Sequence, residues 1–168
     1  MYSLNVPVPG RVRRLASDLH PHLVAFESRP GDHTLLAKRL DASTPSDRHR
    51  VQRQVRDALA GHPPFAVRIT GIDAFDDPTS GPGPVVYLPV DSPRLHDVHD
   101  RLVDALGSID GLGGDDYVPH VTLARDGPQA AADAATQVDV DPIEWRVERL
   151  QFYDAHLQEP AGEIRLPA

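Results

Sequence analysis

Tyr117-Val118-Pro119-His120-Val121-Thr122-Leu123-Ala124-Arg125 is the stretch on which the fold turns. It reads as a strand with a stiff start, Pro119 fixing the backbone before the alternation begins. Along a strand, residues i and i+2 point the same way, so Val121 and Leu123 enter a core while His120 and Thr122 project together from the other face. Tyr117, two residues before Pro119, is placed at the same cleft. An imidazole beside a hydroxyl is a compact tool for phosphoryl chemistry: the ring moves a proton near neutral pH and the hydroxyl donates to a non-bridging oxygen. Alone, His-x-Thr on a strand more often marks a structural histidine bonded to its own neighbour.

Outward from that strand, the second half of the chain holds Phe65–Ile72 as a strand, a loop rich in Asp, Pro and Gly from Asp73 to Pro84, and a nearly all-apolar strand at Val85–Val90. Asp91-Ser92-Pro93 caps a helix to about Leu106, with Leu95, Val98, Leu102, Val103 and Leu106 inward. Ile109–Asp116 is a Gly/Asp loop, Gln129–Thr136 a short Ala-rich helix, Ile143–Tyr153 one strand and Glu163–Leu166 a closing strand. The first half has the same order. Tyr2–Pro7 is a strand and Gly10 to about His20 a helix stopped by Pro21. Val24–Glu27 is a short extended piece, Asp32–Leu40 a strand, and a helix starts at Ser43–Asp47 and ends at Ala60. Roughly eight strands and four helices in strand–helix–strand runs predict an α+β fold of two similar βαβ lobes, with no linker to divide them.

The 168 residues suit one domain, and 40% hydrophobic with 25% charged residues excludes a disordered tail. Apolar runs are far short of the ~20 residues that cross a bilayer, and no signal peptide is visible, so a soluble cytoplasmic protein is expected. The absence of Cys removes disulfide scaffolds, thiolate zinc sites and cysteine nucleophiles. A net charge of −8 argues against a general basic coat for nucleic acid, so an RNA contact has to be a local cleft. Lys38 is the single lysine among 17 cations, and Asp greatly outnumbers Glu. That balance fits a halophilic cytoplasm, where salt screens a dense carboxylate shell, and GC-rich codon usage produces the same bias.

Most of the nine histidines have plain roles. His20 and His22 follow a helix C-terminus, His49 lies on a polar face, and His62 and His156 fall in loops or turns. His96 and His99 share a helix at i, i+3 spacing, which suits a solvated face better than a metal site lacking a third ligand. His33 differs: like His120 it begins a strand after a loop, and Thr34-Leu35-Leu36-Ala37 follows it. A pseudo-two-fold axis between the lobes brings both strands to mid-sheet, where two imidazoles flank one phosphate as base and acid and need neither metal nor cofactor.

The Tyr117–Arg125 segment resembles the second motif of the 2H phosphoesterase superfamily, whose bacterial and archaeal members are called 2′-5′ RNA ligases or RNA 2′,3′-cyclic phosphodiesterases. The likeness extends over nearly the whole chain, through Leu4–Pro9, Gly71–Phe75, Val85–Val90 and Arg149–Tyr153. It implies a bilobal α+β fold with antiparallel sheets around a central cleft. The single domain 1–168 then divides into lobes of roughly 1–64 and 65–168 that exchange strands. Family members carry one His-x-Thr/Ser motif per lobe, and the first motif here departs from that spacing. With His33 in the histidine position, Leu35 takes the hydroxyl position, while Leu36 and Ala37 match well. With Thr34 in the hydroxyl position, Asp32 replaces the histidine. The first register is preferred because it keeps an imidazole, and a β-bulge near Asp32 would let both His33 and Thr34 face the cleft.

The resemblance implies a metal-independent RNA 2′,3′-cyclic phosphodiesterase giving a 2′-phosphate end, or the related 2′-5′ ligase. His33, His120 and Thr122 are the expected catalytic residues, and Thr34, Tyr117 and Arg125 are expected to bind substrate. Partners would be RNA 2′,3′-cyclic phosphate ends or cyclic nucleotides, acted on by a monomer with no cofactor and no membrane. The alternative is a protein of the same fold that has lost catalytic strength and binds a nucleotide or RNA end.

Overall fold

Val85–Asp91 (β5) and His120–Arg125 (β6) pair at the centre of a sheet that takes in every strand of the computed structural model, which describes residues 1–109 and 116–167. The remaining strands are Tyr2–Val6 (β1), Leu35–Leu40 (β2), Phe65–Ile69 (β3), Asp73–Phe75 (β4), Ile143–Val147 (β7), Arg149–Asp154 (β8) and Glu159–Arg165 (β9). All pairs are antiparallel, in the order β7-β3-β5-β6-β2-β1-β8-β9 with β4 added beside β5. The helices are Gly10–Asp18 (α1), Pro45–Ala58 (α2), Pro93–Leu106 (α3) and Gln129–Thr136 (α4), with one 3₁₀ turn at His20–His22. None of them is long and apolar enough to cross a membrane.

Local chemistry accounts for most element ends. Thr44 and Asp47 form a capping box on α2, the Thr44 hydroxyl accepting from the Asp47 N–H at 3.1 Å and the Asp47 carboxylate accepting from the Thr44 N–H at 3.2 Å. The Ser92 hydroxyl accepts from the Leu95 N–H at 3.2 Å and starts α3.

Four expectations are corrected. The expected strand at Ile143–Tyr153 is two strands, parted at Glu148 and lying far apart in the sheet: β7 pairs with β3, whereas β8 pairs with β1 and β9. The loop expected after Ile72 contains β4, and Val24–Glu27 forms no strand, contributing only the neighbouring Ser28↔Arg125 bridge. The strands holding the two motifs begin later than predicted, at Leu35 and His120. The Gly/Asp loop at Ile109–Asp116 falls largely outside the described residues.

Burial assigns the two faces. Tyr2, Leu4 and Val6 of β1 and Leu150 and Phe152 of β8 are buried on one side. There Gln52 of α2 donates to the Tyr2 hydroxyl at 2.7 Å and Arg56 lies over the Phe152 ring. The alternate residues, among them Asn5, Gln151, Leu36, His120 and Thr122, share the opposite face.

Candidate active site

Two strands with different partners meet at one point. β2 and β6 share a single ladder pair, Leu35↔Val121, both fully buried. Stepping that register by one residue sets Thr34 opposite Thr122, and opposed residues on a ladder project to the same face. A cavity of about 210 Å³ confirms the juxtaposition: its wall includes Asp32, Thr34, Thr122, Arg125 and Ser28. Asp32 and Thr34 therefore line the cleft together.

His33 lies between them in sequence, before the start of β2, and is half-buried. Burial lowers its pKa, the charge of Arg13 of α1 lowers it further, and Asp32 partly opposes both. It forms no part of that cavity's wall.

His120 sits at the first position of β6, with the edges of Phe75 and Tyr87 against it at centroid distances of 5.4 and 5.3 Å. Its Nδ1 lies 2.6 Å from the Val118 carbonyl oxygen. A carbonyl can only accept, so the neutral ring carries its proton on Nδ1 and Nε2 holds a free lone pair. Burial pushes the pKa of the ring below its ordinary value and the charge of Arg125 adds to that, while the Val118 bond opposes both. The imidazole is thus poised as a neutral base.

A second hollow of about 160 Å³ adjoins His120, walled by Phe75, Pro78, Val85, Val118 and Arg125. Arg125 lines both cavities and is held by donating to the Ser80 carbonyl at 3.0 Å. Gly81 is favoured there by its φ of +77°, and a Cβ would also push the Arg125 guanidinium aside. Tyr87 stacks on Phe75 at 4.1 Å, the pKa of its hydroxyl pushed up to about 12 by burial and then by Asp73.

Tyr117, expected at the substrate, is buried instead and donates its hydroxyl to the Leu36 carbonyl at 2.7 Å. His99 stacks on it at 3.8 Å and donates from Nδ1 to the Ala37 carbonyl at 2.8 Å. This corrects the solvated reading of His99, which is buried. Ala37 is the residue skipped in the β1–β2 ladder, between Leu4↔Lys38 and Asn5↔Leu36. Tyr117 and His99 thus bond consecutive carbonyls at the bulge and anchor the approach to His120 against β2.

Of the residues named from the sequence, Thr34, Thr122 and Arg125 line one cavity and His120 and Arg125 the adjoining hollow; the preferred register left Asp32 out of the cleft, and Phe75 and Tyr87 were not named as site residues. The alternation Asp32, Thr34 around a buried Leu35 was the available signal for the first. Among the described residues no cluster of three or more His, Cys, Asp or Glu could hold a metal.

Paired hydroxyls and an arginine thus line one mid-sheet cavity, with an imidazole at the adjoining hollow. The sequence profile of the 2′-5′ RNA ligase superfamily matches residues 11–159, and the chain belongs to that superfamily. The RNA 2′,3′-cyclic phosphodiesterase of Methanothermobacter thermautotrophicus is 31% identical over 121 residues, which are 68% of this chain and 64% of that protein. The matched region thus spans slightly under two thirds of that curated relative. A crystal structure of a Thermus thermophilus protein superposes with a TM-score of 0.69 at 18% identity, over 98% of this chain and 97% of the other. E. coli LigT complexed with 3′-AMP gives 0.66 at 18% identity, over 99% and 98%. At that identity the structural likeness speaks for the fold.

Proposed function

We propose that the protein is a metal-independent RNA 2′,3′-cyclic phosphodiesterase, related in chemistry to the 2′-5′ ligases. Its substrates are 2′,3′-cyclic phosphate ends of RNA or cyclic nucleotides, and it acts as a monomer in the cytoplasm. One observation carries the reading: Thr34, Thr122 and Arg125 line one cavity of about 210 Å³, and Arg125 also lines the adjoining hollow that His120 borders. In hydrolysis, His120 Nε2 takes a proton from water as its oxygen attacks phosphorus, and the P–O3′ bond breaks to leave a 2′-phosphate. The two threonine hydroxyls donate to non-bridging oxygens, and Arg125 offsets their charge.

The first motif is best taken with Thr34 in the hydroxyl position and Asp32 where relatives carry histidine. A carboxylate at neutral pH has no proton to offer the leaving O3′, so water supplies it and turnover is slow. The test is incubation of purified protein with a 2′,3′-cyclic nucleotide in EDTA, products resolved by chromatography. The expected product is the 2′-monophosphate at an unchanged rate with chelator. No turnover, or turnover restored only by a divalent ion, would overturn the reading.

A further inference from the structure

Chain chemistry continues beyond the reacting phosphate. β8 pairs with β1 through Asn5↔Gln151, and β1 with β2 through Val6↔Leu35. Stepping both registers outward sets Pro7 between Arg149 and Thr34, and Arg149 itself faces Arg165 of β9. Thr122, Thr34, Pro7, Arg149 and Arg165 therefore form one row across the sheet on the cleft face. With strands ~4.8 Å apart, the arginines stand roughly 10 and 14 Å from Thr34.

A hollow of about 420 Å³ lies at the end of this row, lined by Pro7, Pro9, Trp145, Arg146, Arg149 and Arg165. The arginines are only lightly engaged. Arg149 and Arg165 reach the same carboxylate, Glu163, and Arg146 reaches Glu148, at 3.5 to 3.9 Å. Trp145, the only tryptophan, lines the hollow half-buried against the core, its indole N–H buried and without an acceptor among the described residues. Three arginines against one carboxylate, Glu148, line the hollow with the tryptophan, a local surplus of positive charge on a chain of net charge −8.

We propose that this hollow binds the RNA chain 5′ of the terminal cyclic phosphate, with Arg149 and Arg165 on phosphates and Trp145 against a base or ribose. The proposal rests on the phosphodiesterase reading for which end enters the cleft. Continuity with the threonine row, arginine forks suited to phosphate, and an indole beside them favour a single-stranded polynucleotide as occupant. The protein would then prefer oligonucleotide ends to mononucleotides.

Trp145 is its own reporter. Wild-type protein is titrated with an RNA tetranucleotide ending in a 2′-phosphate while tryptophan emission is followed, in parallel with a nucleoside 2′-monophosphate. The tetranucleotide should quench saturably and the mononucleotide should not. Arg149→Ala with Arg165→Ala should weaken tetranucleotide binding at least tenfold and flatten the slope of log K against log salt by about 1.4. Arg94→Ala with Arg101→Ala, on the exposed side of α3, should bind as wild type and controls for lost charge. Equal quenching by the mononucleotide, or unaltered affinity in the Arg149/Arg165 variant, overturns the proposal. Binding without turnover of any cyclic phosphate would sink the phosphodiesterase reading and leave this site standing. Turnover with an oligonucleotide-to-mononucleotide kcat/KM ratio insensitive to Arg149 and Arg165 would do the reverse.

Discussion

At the scale of single residues, the tautomer of His120 decides what the site can do. Its Nδ1–H is committed to the Val118 carbonyl, so Nε2 is the only ring atom free to take a proton from water. His120→Ala should lower kcat by roughly 10²–10⁴, the usual worth of a positioned proton-transfer group. Thermal stability should change little, because the ring borders a cavity. A melting temperature that drops while turnover persists would mark a structural histidine. The first motif offers a sharper discrimination. If Asp32 stands where relatives carry histidine, Asp32→His restores an acid for O3′ and should raise kcat, by up to about 10²-fold on the same scale. His33→Ala should then be nearly silent in steady-state kinetics. The opposite ranking, with His33→Ala severe and Asp32→His inert, would return His33 to the reaction. This distinction was written in the sequence but weakly. Both registers were visible, and the sequence alone did not show that Leu35 is buried opposite Val121, the pairing that favours Thr34 at the cleft.

At the scale of elements, the two motif strands are joined by very little. One ladder pair and the Tyr117–Leu36 hydrogen bond hold β2 and β6 in register. Tyr117→Phe keeps the stack on His99 and deletes only the hydroxyl. It should cost about 1 kcal/mol in unfolding free energy, the net worth of such a bond, and more if the Leu36 carbonyl is left dry. Because the bond fixes the approach to His120, kcat should fall while KM for a cyclic nucleotide holds. Equal loss of both, or wild-type kinetics with lowered stability, would show that the tie serves folding alone. Period-2 patterning made the strands themselves legible: Phe65, Val67 and Ile69 are buried as the alternation predicts. The slip of that rhythm at Glu148, from odd positions (Trp145, Val147) to even ones (Leu150, Phe152), did not by itself show that the two halves lie apart in the sheet. Only pairing with different partners shows two strands. The bulge at Ala37 was equally hidden, its carbonyl being served by a histidine 62 residues away.

At the scale of the whole molecule, two effects of acidification oppose one another. His33, His99 and His120 all have pKa values lowered by burial, and unfolding releases each toward about 6.5. Below that pH the unfolded chain therefore binds more protons than the folded one, and stability is lost as pH falls through the window beneath 6.5. Against this, the folded chain carries a net charge of −8, and protonation relieves self-repulsion. Salt separates the two: at 1 M the Debye length is about 3 Å, which screens the surface charge while leaving desolvation of buried rings intact. The melting temperature should therefore fall between pH 7.5 and 5.5 in 1 M NaCl, and fall less, or stay level, in dilute buffer. In the same window kcat/KM for a cyclic nucleotide should also drop, because the base at His120 must be neutral, with its midpoint displaced below 6.5. Melting curves and rates taken on the same samples test both. A melting temperature that rises on acidification in high salt would mean that the three buried rings are not held neutral by the fold. A rate that climbs toward low pH would assign His120 the acid's role instead of the base's.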